Sequence, residues 1–196
     1  MGYLYNLNSL TASSKYDKTT PIFLRDSMAY RLKNLRILVI DSNMPVRNLI
    51  RSILLDLGFG VVDAAKDTEE AWTMYHENRP DTILLDWRLD DTEALNFVRR
   101  IRMELGGSAQ RVPVIIMTGH TNKERVMLAR DTGVTEFLIK PFTINALVKH
   151  FTNLIEKPRD FVKAPSFVGP DRRRRADGSV PDKKRKQDTL SAQKKS

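Results

Sequence analysis

Between residues 35 and 156 the sequence alternates five times between a short apolar run and a stretch of helical period, and this alternation constrains the fold more than any other feature. The runs are LRILVI (35–40), VVDAA (61–65), TILLD (82–86), VPVIIMT (112–118) and VTEFLI (134–139). Most are continuous rather than alternating, as strands read when helices cover a parallel sheet on both faces. After the first run, Val46, Leu49, Ile50, Ile53, Leu54 and Leu57 recur at helical spacing, with Pro45 near the start and Gly58 just past the end. After Pro141, Ile144, Leu147, Val148, Phe151, Leu154 and Ile155 repeat that pattern. Asp67 with Glu70, and Thr121 with Glu124, have capping-box spacing. The third helix is expected over about 92–105, ending at Gly106-Gly107. Five βα units with right-handed crossovers give an α/β fold, a doubly wound five-stranded parallel sheet.

The flanks differ in kind, and charge marks the division. The chain carries a formal charge of +9, distributed as +3 over residues 1–34, −2 over 35–156 and +8 over 157–196. Attraction to polyanions therefore has to come from the ends. Three regions follow: an N-terminal extension (1–34), the α/β domain (35–157) and a basic tail (158–196). The tail is rich in Pro, Gly, Ser and like charge and is expected to be disordered, because beyond Gly169 it has too little apolar surface to offset the cost of ordering. The N-terminal extension is read equally well as a loose arm or as an added helix over PIFLRDSMAYRL.

Several function classes fall away. The chain has no cysteine, which excludes disulfides, thiolate metal sites and thiol nucleophiles, and its three histidines (His76, His120, His150) lie in distant segments. It has neither a long apolar run nor a signal-peptide start, so no membrane partner and a cytoplasmic location are expected.

In an open parallel sheet, ligands bind beyond the carboxyl ends of the strands. Asp41 follows the first strand, Asp86 ends the third, Thr118 ends the fourth and Lys140 follows the fifth. A strand-end aspartate by itself is more often a helix cap; two acids, a hydroxyl and an amine on one edge are a constellation. Their intervals of 45, 32 and 22 residues resemble those of the receiver domains of bacterial response regulators, the CheY-like phosphoacceptors. The resemblance covers roughly residues 35–157.

It implies a flavodoxin-like sheet with strand order 2-1-3-4-5 and a function in a two-component phosphorelay. Asp86 would take a phosphoryl group from a phosphohistidine on a histidine kinase or phosphotransfer protein. Mg²⁺ would be held by Asp41, Asp86 and the backbone carbonyl of Arg88, and Mg²⁺ suits the task because it takes oxygen ligands and keeps several waters. Thr118 and Lys140 would contact the phosphoryl oxygens, and Gly119 would leave room for the group. Lys140-Pro141 matches a step that is usually cis, at a cost of only about 1 kcal/mol before proline. Phe137 stands at the switch-aromatic position, which would re-form the face of helix 4, strand 5 and helix 5, a face through which receivers also pair as homodimers. An unidentified downstream protein would read that change.

The sequence departs from the family in the loops. Receivers usually carry two adjacent acids after the first strand, whereas here Asp41 is followed by Ser42. Metal affinity should fall, with water filling the vacated place through Ser42. Asp86 is followed by Trp87-Arg88-Leu89-Asp90-Asp91, in which Asp90 and Asp91 read first as solvated loop acids and second as a compensating charge. Arg88 and His120, each two residues beyond a site residue, stand at positions that in the family flank the path of hydrolytic water, and the resemblance implies that they would modulate the lifetime of the phosphorylated form.

The reading with most support is a stand-alone phosphoacceptor, because no recognisable output domain follows. The rival is a pseudo-receiver acting as a phosphorylation-independent adaptor, or as a nucleic-acid-binding module through FVGPDRRRR and KKRK. A flavodoxin-like redox enzyme ranks third, since the loop after the first strand lacks a phosphate-cradling Gly, Ser or Thr run.

Overall fold

The computed structural model describes residues 32–87, 91–119, 122–164 and 167–172. Strands β1 (Arg36–Ile40), β2 (Val61–Ala65), β3 (Thr82–Asp86), β4 (Val114–Thr118) and β5 (Glu136–Ile139) alternate with helices α1 (Met44–Asp56), α2 (Thr68–Asn78), α3 (Asp91–Glu104), α4 (Lys123–Thr132) and α5 (Ile144–Glu156). The sheet is parallel throughout, in the order β2-β1-β3-β4-β5. This is the doubly wound α/β fold that the alternation predicts, with the flavodoxin-like strand order that the resemblance implies.

Successive strand side chains point to opposite faces, so each strand feeds two cores. Leu38, Ile40, Ile83, Leu85, Val114 and Ile116 are buried on one face with residues of α2, α3 and α4. Ile37, Val39, Leu84, Ile115 and Met117 are buried on the other with Ile50 and Leu54 of α1 and Leu147 and Phe151 of α5. All five residues of β3 are buried, as are all five of β4. This double coverage is why the runs are continuous rather than alternating.

Helix starts follow the sequence with two corrections. Asp67 caps α2 by accepting from Glu70 N at 2.8 Å, while the Glu70 carboxylate accepts from Lys66 N rather than from the cap residue itself. Asn43 caps α1 and Thr143 caps α5. The capping box at Thr121 and Glu124 is replaced by Asn122, whose side chain accepts from Glu124 N at 2.8 Å. An amide oxygen two residues before the first free N–H groups serves as well as a hydroxyl three residues before. Residues 1–31 lie outside the described residues; Leu32, the first described, is buried beside Phe59 and Val62.

The expected tail begins with an ordered hairpin. Strands β6 (Phe161–Ala164) and β7 (Phe167–Pro170) pair antiparallel, with Phe161 opposite Pro170 and Ala164 opposite Phe167. Asp171 N donating to the Asp160 carbonyl at 2.7 Å extends the pairing by one step. The apolar surface of FVKA and FVGP is too small for a core of its own, but it does not need one. It closes onto the existing domain, where Val168, Gly169 and Pro170 are buried. The packed chain therefore continues past residue 157, and residues 165–166 and 173–196 of the expected tail lie outside the described residues.

Candidate functional site

The four residues singled out at the strand ends meet at the carboxyl edge of the sheet. Asp41, Asp86 and Thr118 are almost fully buried, with 0%, 1% and 2% of their surface exposed. Lys140 Nζ lies 3.0 Å from Asp41 Oδ2 and 3.0 Å from Asp86 Oδ1, in two ion pairs made by one cation. Those two carboxylate oxygens repel by on the order of 3 kcal/mol at an effective dielectric near 20. The ammonium between them offsets that repulsion.

Local structure fixes each member. Asp41 Oδ1 accepts from Asn43 N at 2.9 Å, while the Asp41 carbonyl accepts from Arg47 Nη1 at 2.5 Å. The aspartate is thereby held by both its side chain and its backbone as the chain turns into α1. Lys140 N donates to the Thr118 carbonyl at 2.7 Å, which ties the end of β5 to the end of β4, and Lys140-Pro141 is cis. Trp87 N donates to the Met117 carbonyl at 2.9 Å and continues the β3 to β4 ladder one residue past Asp86. Around Gly119 the space is open: an added Cβ would meet nothing within 4 Å.

The remaining expectations divide. Ser42 is exposed at the rim of the site. Phe137 is half-buried against the core on the α2, α3 and α4 face. Arg88, Asp90 and His120 lie outside the described residues, as does the side chain of Asp91.

The profile of the response regulator receiver domain matches residues 37–152. The chain belongs to this family. Among curated relatives, the receiver resembles the chemotaxis protein CheY-3 of Vibrio cholerae, 26% identical over 64% of this chain and 95% of that protein. It resembles CheY of Pseudomonas aeruginosa to the same degree, over 63% of this chain and 98% of that one. Among solved structures, CheY4 of Vibrio cholerae superposes with a TM-score of 0.56 at 27% identity, covering 61% of this chain and 97% of that chain. A two-component response regulator from Clostridium difficile shares the fold, with a TM-score of 0.57 at 23% identity over 65% of this chain and all of that one. Receivers are signalling domains rather than classical enzymes, they interact with kinases or phosphotransfer proteins, and they generally bind Mg²⁺ in their acidic pocket. No helix among the described residues is long and apolar enough to cross a membrane.

The donor set of this receiver's pocket fits Mg²⁺ in kind. Two carboxylates converge there, and Mg²⁺ characteristically uses one or two carboxylates and completes its shell with water and phosphate oxygens. The fit is sparse, however. Among the described residues no group of three acids or histidines is placed to hold a metal, and Ser42 supplies a neutral oxygen at the rim where the family carries its second acid.

Sequence reasoning missed two neighbours of the site. Arg47 carries no motif, since one arginine on a helix reads as a solvated charge. Trp87 looked like a loop residue, but it is 3% exposed, with the Arg125 guanidinium 5.0 Å over its ring and Phe137 at 6.1 Å. Its size and apolar character were the available signal, because a tryptophan directly after a buried strand end has a covered face within reach.

Proposed function

We propose that this receiver is a phosphoacceptor in a two-component phosphorelay, with Asp86 as the acceptor. The observation that carries the reading is Lys140 Nζ placed 3.0 Å from each of two buried aspartates at the carboxyl edge of the sheet. A buried carboxylate pair is costly, and a cation held against both already counters the negative charge that a phosphoryl group would add.

In the reaction, an Asp86 carboxylate oxygen attacks the phosphorus of a phosphohistidine on the donor protein. The P–O bond forms as the P–N bond breaks, and the imidazole leaves with the electron pair and takes up a proton. The product is an acyl phosphate. Lys140 turns its ammonium from Asp86 to the incoming phosphoryl oxygens, and the Thr118 hydroxyl donates to the same group. Asp41 and Asp86, with the Arg88 carbonyl, would hold Mg²⁺, which supplies neutralising charge along the path of in-line transfer. Phe137, whose ring lies 6.1 Å from that of Trp87, would carry the change toward a downstream protein.

The test is incubation of the full chain with acetyl phosphate and Mg²⁺, followed by intact mass measurement and peptide mapping. One phosphoryl adduct is expected, labile to hydroxylamine as acyl phosphates are, on the peptide that contains Asp86. An adduct on any other residue, or none at saturating Mg²⁺, would sink the reading.

One observation favours a second reading, a pseudo-receiver that has lost its metal: Ser42 stands exposed where the family has an acid. An added carboxylate about 4 Å from a divalent cation contributes several kcal/mol of gross attraction at a dielectric near 20, of which desolvation removes much. Ser42→Asp is therefore expected to tighten Mg²⁺ binding about tenfold or more by titration calorimetry. If the native chain forms no adduct and Ser42→Asp restores it, the native protein is the pseudo-receiver.

A further inference from the structure

Strand β7 packs on the end of a helix rather than on the sheet. Gly169 lies so near Gly133, which ends α4, that a Cβ on Gly169 would stand 2.9 Å from Gly133 Cα. A Cβ on Gly133 would stand 2.9 Å from the Val168 carbonyl oxygen, and Gly133 also has φ of 102°, a conformation that favours glycine. Arg172, just past β7, reaches back to the last turn of α4. Its Nη1 is 3.3 Å from Asp131 Oδ1, and its guanidinium sits 3.7 Å over the Phe167 ring. From the other side, Arg102 of α3 donates Nε to the Gly133 carbonyl at 3.0 Å and lies 5.7 Å from the Phe161 ring. The end of α4 is held between α3 and the hairpin.

The opposite end of α4 touches the residue next to the candidate acceptor. Arg125, in the first turn, covers the ring of Trp87, and Trp87 follows Asp86 directly. A helix of ten residues is a stiff rod about 15 Å long. A restraint on one end is therefore a restraint on the other.

We propose that the β6–β7 hairpin is a clasp on α4: it holds the contact between α4 and Trp87 in the arrangement that accompanies Lys140 bridging Asp41 and Asp86, so hairpin docking and phosphorylation of Asp86 oppose each other. The second half of this inference rests on Asp86 being the acceptor; the first half, coupling from hairpin to Trp87, does not. The opposition is reciprocal, because a docked hairpin that disfavours the phosphorylated form must be loosened by phosphorylation to the same extent. Arg172 also opens the run of four arginines, 172–175, so the clasp and the basic tail share a residue.

Gly169→Leu tests the clasp in the full chain. Its side chain would start from a Cβ only 2.9 Å from Gly133 Cα, a backbone atom at the end of α4 that cannot turn aside, which expels the hairpin and leaves the sheet untouched. Gly106→Ala, where a Cβ meets nothing within 4 Å, is the control. Three readouts are expected to change in Gly169→Leu and not in the control. Amides of residues 129–134, 161–164 and 167–169 exchange at least tenfold faster while β1 and β3 stay protected. The assigned indole resonance of Trp87 shifts, and the rate of adduct formation from acetyl phosphate rises several-fold.

Faster exchange with an unmoved Trp87 resonance overturns the coupling, and unchanged exchange overturns the clasp. A shifted Trp87 resonance with a slower or unchanged adduct rate overturns the opposition to phosphorylation. A shifted resonance in a protein that forms no adduct at all leaves the coupling standing and removes Asp86 as acceptor instead. Arg172→Ala, a surface change that leaves the core intact, must give the same signs with smaller amplitudes. If Gly169→Leu does not fold, Arg172→Ala decides between the same outcomes.

Discussion

Asp86→Asn is expected to abolish phosphoryl adduct formation from acetyl phosphate at any Mg²⁺ concentration, with no loss of folded stability. The two halves of that result have separate causes. Asparagine matches aspartate in shape but offers no carboxylate oxygen to attack phosphorus, so the acyl phosphate cannot form. It also removes one of two buried negative charges, leaving Lys140 paired with Asp41 alone. The relief of repulsion, on the order of 3 kcal/mol before other terms, opposes the loss of the Asp86 ion pair to Lys140. Urea denaturation in metal-free buffer should accordingly show a midpoint unchanged or raised. A residual adduct in Asp86→Asn would place the acceptor elsewhere, and an unfolded variant would remove the meaning of a lost adduct. Asp41→Asn gives the contrast, because it keeps the nucleophile and should slow adduct formation without abolishing it.

The largest effect on stability is expected at a residue far from that site. Arg102 is 1% exposed, donates to the Gly133 and Gln110 carbonyls at 3.0 and 2.9 Å, and has its own carbonyl bonded by the Gln110 amide. Burial lowers the pKa of its guanidinium from the usual arginine range to about 10, still well above neutral pH, so the group remains a cation. Its Nη2 is buried with no hydrogen-bond partner among the described residues. Arg102→Ala removes two donors at once and opens a large cavity between α3 and α4. Each orphaned buried carbonyl costs about 1–3 kcal/mol, and the cavity adds to that, so a total loss of about 3–5 kcal/mol is expected from urea denaturation. Arg102→Lys should not rescue it, because one ammonium cannot reproduce the planar fork that reaches both carbonyls. A loss below about 1 kcal/mol for Arg102→Ala would show that the buried arginine is not what joins α3 to the end of α4.

The difference between these two residues marks what a linear reading can see. Asp41, Asp86, Thr118 and Lys140 were legible because each is fixed by a strand end, and strand ends are local: an apolar run stops, and the next polar residue has to lie at the sheet edge. Four such edges in register make a site before any side-chain contact is known. Asn122 in place of Thr121 as the cap of α4 is a smaller case, in which two adjacent residues could each fill the role and only the path of the chain selected one.

Arg102 and the hairpin were not legible, for a different reason. In the sequence Arg102 is one basic residue among several in Arg99-Arg100-Ile101-Arg102, and nothing local distinguishes the buried one from its solvated neighbours. FVKAPSFVGP likewise falls in the segment from Pro158 onward that reads as a tail rich in Pro, Gly, Ser and like charge. Nothing within either segment marks the surface it packs against. The arginine is buried because the Gly133 and Gln110 carbonyls meet it, and Phe161, Val168 and Gly169 are ordered because α3 and α4 already present a surface to close on.

By itself, then, the sequence determined the sheet, its helices and the acidic edge, since period and strand termination act over a few residues. The tertiary structure alone decided that the chain after α5 folds back on the domain, which arginine is inside it and how α4 is held. Those outcomes depend on contacts between residues tens of positions apart, whose free energy appears only once the surfaces that make them exist.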